Sequence, residues 1–149
     1  MKLEVSSEAL QNMHRHAEAD YPNECCGFFL GLEGDVRQVR VIREVENAKE
    51  GDQRRRFQID PKDYQQAEKY AIEHDLDLLG VYHSHPDHPA EPSEHDRSVA
   101  MPWFSYIIIS LQDGKASNTR SWRLNDERQF EEEPFETKEF SSQPKNLDI

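Results

Sequence analysis

The sequence predicts a single α/β domain in which helices flank a mixed β-sheet. Helical and strand-like patterns follow one another as helix, hairpin, helix, strand, helix and hairpin, an order that favours a layered domain. The chain has 149 residues, which suits one domain with one hydrophobic core. No internal repeat is visible, so one such unit accounts for the whole pattern.

The first half of the chain predicts a helix followed by a β-hairpin. Apolar residues recur at steps of three and four between residues 6 and 22, which is typical of an amphipathic helix. Residues 25–32 are almost wholly apolar, as in a buried strand, and residues 35–45 alternate, as in a half-buried strand. Gly34 and Asp35 between them are a hairpin signal.

The second half predicts two helices and three strands around a proline-rich loop. Asp60 and Pro61 form the clearest helix start in the chain, because aspartate caps a first turn and proline fits its first position. Asp113 and Gly114 mark a turn between the last two strands. The predicted elements are a polar loop at 46–57, a helix at 59–74, a strand at 76–84, a short helix at 93–100, and strands at 103–111 and 115–124.

The pattern weakens after residue 124. We therefore expect a domain over residues 1–124 and an acidic C-terminal tail over residues 125–149, which holds eight acidic and three basic residues. Phe130, Phe135 and Phe140 recur every five residues, a spacing that fits neither a helix nor a strand. Two interpretations stay open: a partly disordered, solvated tail, or a tail whose phenylalanines dock on the core or on a partner.

Charge and composition restrict the partners and the location of the protein. The formal net charge of −12 disfavours nucleic acid, because phosphate repels an acidic surface. No apolar run approaches the roughly 18 residues of a membrane span, and the N-terminus lacks the apolar centre of a signal peptide. The only cysteines, Cys25 and Cys26, are neighbours that rarely bridge. We expect a cytoplasmic protein without nucleic-acid or membrane partners.

The strongest candidate for a functional site is the stretch GVYHSHPDHPAEPSEHD, residues 80–96. His83 and His85 are separated by one residue at the predicted end of a strand, where α/β folds place their ligands. We expect Pro86 to take the chain out of the sheet, so that both imidazoles converge on one ion past the strand. A catalytic zinc takes three protein ligands and keeps a position for water, so a third ligand must come from elsewhere.

Two metal-site patterns fit this stretch. The first is H-x-H-x-D-H, which is typical of metallo-β-lactamase-like hydrolases. In that pattern His83, His85 and His88 would be ligands, and Asp87 would bind a second metal. The pattern needs further histidines later in the chain, and none follows His95. The chain is also short for that two-sheet fold.

The second pattern is H-S-H-P-x6-S-x-x-D, which runs from His83 to Asp96 and contains Ser93. It resembles the JAMM motif of the JAB/MPN zinc metalloprotease family. Three further stretches fit the same family: PNECCGFFLG with Glu24, FQIDPKDY before a helix, and LLGVYHSHP as the strand into the site. The resemblance covers residues 1–124, and the short connection after Asp96 makes the chain similar to the compact bacterial type.

The resemblance implies a cytidine-deaminase-like α/β fold with one zinc ion per chain. It implies His83, His85 and Asp96 as zinc ligands, Glu24 as general base and acid, and Ser93 as the residue that stabilises the tetrahedral intermediate. These residue types suit the chemistry. A carboxylate outside the metal shell can move protons from water to the leaving amine, and a hydroxyl can donate to the oxyanion.

Simpler interpretations stay open for each of these residues. Ser93 and Asp96 form S-x-x-D, so both could only cap the short helix. Glu24 could be an ordinary solvated carboxylate before a strand. His14 and His16 point away from each other on the first helix, and we expect both at the surface.

The resemblance also implies a substrate. It is a peptide or isopeptide bond next to the C-terminal Gly-Gly of a ubiquitin-like sulfur-carrier protein. Arg54 and Arg55 lie together in an otherwise acidic chain, so we expect them to steer an acidic carrier towards a sheet edge, where its tail adds as a strand. A non-catalytic MPN-type scaffold is the alternative, but such a scaffold would lack part of the motif. A deaminase would need H-x-E together with P-C-x-x-C, and P-C-x-x-C is absent.

Overall fold

The structure, a computed structural model, describes residues 2–140. Met1 and residues 141–149, the end of the acidic tail, lie outside this part. No helix among the described residues is long and apolar enough to cross a membrane. The helices and strands are β1 (Lys2–Ser6), α1 (Ser7–Asp20), β2 (Cys26–Leu32), β3 (Val36–Val45), α2 (Pro61–Glu73), β4 (Asp77–Pro86), α3 (Glu94–Val99), β5 (Ser105–Gln112), β6 (Lys115–Leu124), β7 (Phe130–Glu133) and β8 (Phe135–Lys138).

The eight strands form one mixed sheet in the order β7-β6-β5-β4-β2-β3-β1-β8. The pairs β4–β5, β1–β3 and β1–β8 are parallel, and the other pairs are antiparallel. One core cluster lies beneath α1 and includes Met13 and Phe29, and a second lies beneath α2 and includes Ala67 and Val81. The predicted mixed sheet flanked by helices is therefore confirmed, and every element predicted between residues 6 and 124 is present.

The helix starts follow the capping chemistry of the sequence. Ser6 caps α1 and accepts a hydrogen bond from the Ala9 N–H at 3.0 Å. Asp60 caps α2 and accepts from the Lys62 N–H at 2.9 Å, with Pro61 in the first turn. Such caps satisfy backbone donors that the helix itself leaves free.

Three strands, β1, β7 and β8, and the burial of His16 were not predicted from the sequence. β1 precedes α1, and its Leu3 and Val5 are fully buried between β3 and β8. His16, which was expected at the surface, is only 8% exposed, and its Nδ1 lies 2.7 Å from the Tyr82 hydroxyl. That expectation was wrong because the buried stripe of α1 includes residue 16 beside Met13.

The segment after β6 joins the two ends of the sheet. β7 and β8 are separated only by Pro134, yet β7 pairs with β6 and β8 pairs with β1. The Leu3 N–H donates to the Pro134 carbonyl at 3.0 Å between them. Phe130 and Phe135 pack against the two core clusters. The described sheet therefore curls round so that one short stretch of chain forms both of its edge strands.

Candidate metal centre

β4 places His83 and His85 on one face of the sheet, because alternate residues of a strand point the same way. The strand continues through Pro86, which pairs in register with Leu111 of β5, so the expected bend at Pro86 was wrong. The proline is tolerated there because Ser84 already hydrogen bonds to Cys25 just before β2 begins, and no β2 residue is left to accept from position 86. Convergence of the two imidazoles therefore needs no bend.

The third group of the site arrives from α3. The Asp96 Oδ2 lies 3.2 Å from the His85 Nε2 and 3.4 Å from the His83 Nε2, and the two Nε2 atoms are 3.1 Å apart. The same carboxylate oxygen accepts the Ser93 N–H at 2.8 Å, while the Ser93 Oγ accepts the Asp96 N–H at 3.0 Å. The capping box expected as a purely structural alternative is thus present, and it also fixes the carboxylate that faces the histidines.

The spacing of these three atoms fits the zinc ion that the sequence implies. Ligand atoms around a tetrahedral zinc lie about 3.4 Å from one another, given metal–ligand bonds of about 2.0–2.2 Å. The three observed separations are 3.1, 3.2 and 3.4 Å. Among the described residues, His83, His85 and Asp96 form the only group of three or more metal-binding side chains that converge in this way.

The surroundings of the site shift the pKa values of all three groups. The His85 Nδ1 donates to the Pro89 carbonyl at 2.9 Å, so its Nε2 lone pair faces the cluster. Burial lowers the pKa of His83 and keeps it neutral, although Asp96 opposes this shift. Burial alone would raise the pKa of Asp96, but the facing imidazoles hold it well below its usual range. Burial also lowers the pKa of His85, but its hydrogen bonds to Asp96 and Pro89 raise it overall. The metal-free site therefore pairs an ionised Asp96 with a neutral His83 and a more basic His85.

Phe57 holds the ring of His83 in place. The two rings are stacked, with centroids 4.5 Å apart and planes 28° from parallel. The His83 Nδ1 is buried and has no hydrogen-bond partner among residues 2–140. Packing by Phe57, rather than a hydrogen bond to the second nitrogen, therefore orients this imidazole in the described structure.

Glu24 lies beside the metal-binding residues in a buried position. It precedes β2, is only 5% exposed, and shares a cleft of about 460 Å³ with His85 and Ser93. Burial raises the pKa of the Glu24 carboxyl to about 8, Asp96 adds to the shift, and His85 opposes it. A raised carboxyl pKa in a cleft is typical of general acids and bases. The alternative of an ordinary solvated carboxylate is therefore wrong.

The loop between β3 and α2 positions Glu24 through its backbone. The Glu24 N–H donates to the Gln53 carbonyl at 2.7 Å, and the Glu24 carbonyl accepts from the Asn47 Nδ2 at 3.1 Å. The Asn47 side chain also donates to the Arg56 carbonyl at 3.0 Å and accepts from the Lys49 N–H at 2.9 Å. One carboxamide thus ties the two ends of the loop to the candidate base.

Sequence reasoning missed Asn47, Gln53 and Phe57. No spacing rule links a loop asparagine to a carboxylate 23 positions earlier, because the contact depends on how the loop folds back. The only signal in the sequence was Phe57 itself, an aromatic residue at the end of a polar loop.

The two predicted arginines occupy different positions. Arg55 lines the same cleft as Glu24 and Ser93, whereas Arg54 lies only in an adjoining depression with Pro22. Tail addition at a sheet edge beside them stays a prediction: β2 and β4 are interior strands, but the end of β4 beyond Ser84 has no partner from β2.

The alternative metal pattern is not assembled. Asp87 accepts from the Tyr21 hydroxyl at 2.6 Å and from the Asp113 N–H at 3.1 Å. It therefore holds the turn after β4 instead of facing the histidines. His88 is exposed, and neither residue belongs to the converging group.

Comparisons with known proteins point to one family. A family model described as prokaryotic homologs of the JAB domain matches residues 6–125. The chain is 29% identical over 125 residues to the CysO-cysteine peptidase of Mycobacterium tuberculosis, which covers 83% of this chain and 84% of that protein. It is 30% identical over 119 residues to the desampylase of Haloferax volcanii, with 76% and 84% covered.

Solved structures agree with this result. The solution structure of a protein from Desulfitobacterium hafniense matches with a TM-score of 0.81 and 31% identity, covering 93% of this chain and 94% of that chain. The crystal structure of a JAB1/MPN domain protein from Archaeoglobus fulgidus matches with a TM-score of 0.56 and 20% identity, covering 92% and 98%. At that identity the second match speaks for the fold alone.

Proposed function

Because this chain belongs to the family of prokaryotic homologs of the JAB domain, we propose that it is a zinc-dependent hydrolase. Its substrate is the peptide or isopeptide bond next to the C-terminal Gly-Gly of a ubiquitin-like sulfur-carrier protein. The observation that carries the proposal is the convergence of His83, His85 and Asp96 beside a buried Glu24. Relatives named CysO-cysteine peptidase and desampylase support this reaction class. We also propose that the fold is cytidine-deaminase-like.

His83, His85 and Asp96 would hold one zinc ion per chain. When bound, zinc lowers the pKa of a water ligand to about 7 and polarises the scissile carbonyl. The two Nε2 atoms and the ionised carboxylate would supply the lone pairs that such an ion needs, and binding would release any proton that His85 holds.

Glu24 moves the protons of the reaction. As a carboxylate it accepts a proton from the attacking water, whose oxygen forms a bond to the carbonyl carbon. It then donates that proton to the amine as the carbon–nitrogen bond breaks. Asn47 and Gln53 fix the Glu24 backbone, which limits the positions that its carboxylate can take.

Ser93 stabilises the negative charge that develops on the carbonyl oxygen. Its Oγ accepts the Asp96 N–H at 3.0 Å, which leaves its hydroxyl hydrogen free to donate. Such a donor stabilises an oxyanion because it is already oriented before the reaction begins.

Arg54 and Arg55 provide positive charge next to the cleft in a chain of net charge −12. They would steer an acidic carrier surface and offset the repulsion from the rest of the chain. The Gly-Gly tail would be held along the end of β4, where β2 no longer pairs, and by the loops around the cleft.

The test is turnover of defined carriers. The zinc-loaded protein is incubated with small carriers that end in Gly-Gly plus a short extension, and the product masses are measured. We expect loss of the extension by wild-type protein. The matched control is Glu24→Gln, which should keep zinc and fold but lose nearly all turnover. Zinc-loaded wild type that cleaves no carrier would favour the scaffold alternative, and Glu24→Gln turnover within about tenfold of wild type would make Glu91 the next candidate base.

A further inference from the structure

The cleft beside the metal site carries one cation that is almost free. Of the described residues that line the cleft, Arg55 is the only lysine or arginine. The acidic residue Glu91 on its wall is occupied by Arg120, whose Nη1 lies 3.2 Å away. Arg120 is itself tied to Glu132 at 2.7 Å and does not line the cleft.

Arg54 and Arg55 differ in how they are held. The Arg54 N–H and Nε both contact the Asp52 Oδ1, at 3.0 and 3.2 Å. The Arg55 Nε lies 4.0 Å from the other Asp52 oxygen, and its side chain is 81% exposed. Its guanidinium therefore keeps donors available for an incoming ligand.

The shape of a guanidinium favours one kind of ligand. Its N–H groups form a planar fork that binds a carboxylate through two parallel hydrogen bonds. Glu91 on the cleft wall is already paired with Arg120, so among the described lining residues Arg55 is the cation available to hold an anion. A ligand with one carboxylate next to the reacting bond suits this arrangement.

The possible leaving groups differ in whether they carry a carboxylate next to the scissile bond. A single amino acid at the carrier's C-terminus has a free α-carboxylate two bonds from the scissile nitrogen. A lysine in an isopeptide bond has uncharged methylene groups at that place, and a longer extension has a neutral amide.

We propose that Arg55 binds the α-carboxylate of a single C-terminal amino acid, so that the chain removes one residue from beyond the carrier's Gly-Gly. This inference rests on the proposed function and narrows its substrate class. Arg54, held by Asp52 outside the cleft, does not share this role.

The test compares two substrates that differ at one group. A carrier ending in Gly-Gly plus one amino acid is prepared with a free C-terminal carboxylate and, separately, as the C-terminal amide. We expect wild-type protein to prefer the free acid in kcat/KM by about 10- to 100-fold, the range for hydrogen bonds to a charged group. Arg55→Gln should reduce this preference to near one, because it raises KM for the acid more than for the amide.

Two variants sharpen the comparison. Arg54→Gln removes the neighbouring charge and should keep the preference of wild type. Arg55→Lys keeps the charge without the fork and should retain part of the preference. Zinc content and thermal denaturation are measured for all variants to establish that they fold.

The outcomes separate this inference from the function on which it rests. Equal wild-type turnover of acid and amide overturns the role of Arg55 but leaves the hydrolase intact. The role is also overturned if Arg54→Gln lowers the preference as much as Arg55→Gln, or if Arg55→Gln loses both substrates equally. Failure of wild type on both substrates overturns the proposed function as well.

Discussion

Asp96 uses one carboxylate oxygen for two purposes. Its Oδ2 accepts the Ser93 N–H at the start of α3 and also faces the two histidine Nε2 atoms. A residue that caps a helix is held in one conformation, so the carboxylate is already aimed at the metal before it binds. Asp96 is thus both part of the helix cap and a candidate metal ligand.

Removal of this carboxylate should empty the metal site. We expect Asp96→Ala to bind far less than one zinc per chain, because two histidines alone leave the ion without its third protein ligand. Metal analysis after dialysis measures the effect. Glu91→Ala, in the same cleft but paired with Arg120, is the control and should keep its zinc. Unchanged zinc content in Asp96→Ala would remove this residue from the site.

Ser93 should affect turnover without affecting metal binding. We expect Ser93→Ala to retain zinc and to lose on the order of 10²-fold in kcat, since one oxyanion donor is removed. The variant also loses a helix cap, worth about 1 kcal/mol, so its thermal stability is measured in parallel. Ser93→Thr keeps both the cap and the hydroxyl and should restore most of the activity. A kcat for Ser93→Ala equal to that of wild type would leave Ser93 as a cap only.

Glu24 should make the stability of the metal-free protein depend on pH. Its carboxyl pKa is about 8 in the folded state and 4.5 as the ordinary value. Between these values the folded protein keeps a proton that the unfolded chain has lost. The stability that Glu24 contributes is therefore fully present below about pH 4.5 and is lost as the pH rises to about 8.

Glu24→Gln removes this titration. In chelator, we expect the variant to gain on the order of 2–4 kcal/mol of unfolding free energy relative to wild type between pH 4.5 and 8.5. Urea denaturation of both proteins across this range measures the difference. A difference that does not change with pH would show that the buried carboxyl does not titrate in this way.

At the scale of elements, the loop between β3 and α2 positions site residues that no helix or strand positions. It holds the Glu24 backbone through Asn47 and Gln53, stacks Phe57 on His83, and brings Arg55 to the cleft. The regular elements place the metal-binding residues, and the loop places the candidate base and cation. Activity and metal binding should therefore be separable by changes within this loop.

Asn47→Ala is the variant that separates them. We expect unchanged zinc content and KM with a kcat roughly tenfold lower, because the hydrogen bond that fixes the Glu24 carbonyl is lost. Glu50→Ala, an exposed position in the same loop, is the control and should match wild type. Loss of zinc together with activity would instead assign Asn47 to the metal-binding side of the site.

At the scale of the whole molecule, the segment after β6 completes the sheet. Glu133 on β7 is only 4% exposed. Its Oε1 accepts from the Ser105 hydroxyl at 2.8 Å and from the Ser121 hydroxyl at 3.0 Å, and its other oxygen lies 3.8 Å from Arg123. This buried carboxylate joins β5, β6 and β7 at the point where the sheet curls round.

Truncation of this segment should destabilise the entire domain. A chain ending at Leu124 would expose the edges of β1 and β6, and unpaired edge strands promote aggregation. We expect it to aggregate, and we expect Glu133→Ala to lose on the order of 3 kcal/mol of unfolding free energy. A chain ending at Phe140 keeps every contact described above and is the control. A stable, monomeric chain ending at Leu124 would place the folding unit within residues 1–124.

The sequence by itself determined the features that depend on short spacings. Periods of two and 3.6 residues located the strands and helices between residues 6 and 124, and caps such as Asp60 marked the helix starts. His83 and His85 were found from their one-residue separation at the end of a predicted strand, although the bend expected to bring them together was wrong. Asp96 was found from its fixed offset in a motif, and its candidate role matches the geometry.

Only the tertiary structure decided the features that depend on contacts between distant parts of the chain. Asn47 meets Glu24, His16 meets Tyr82, and Pro134 meets Leu3 through the fold of loops and sheet edges. No periodicity encodes such contacts, because they form only after the elements have packed. The difference between Arg54 and Arg55 has the same origin. These two neighbouring arginines have different surroundings, because the structure around a loop sets the direction of each of its side chains.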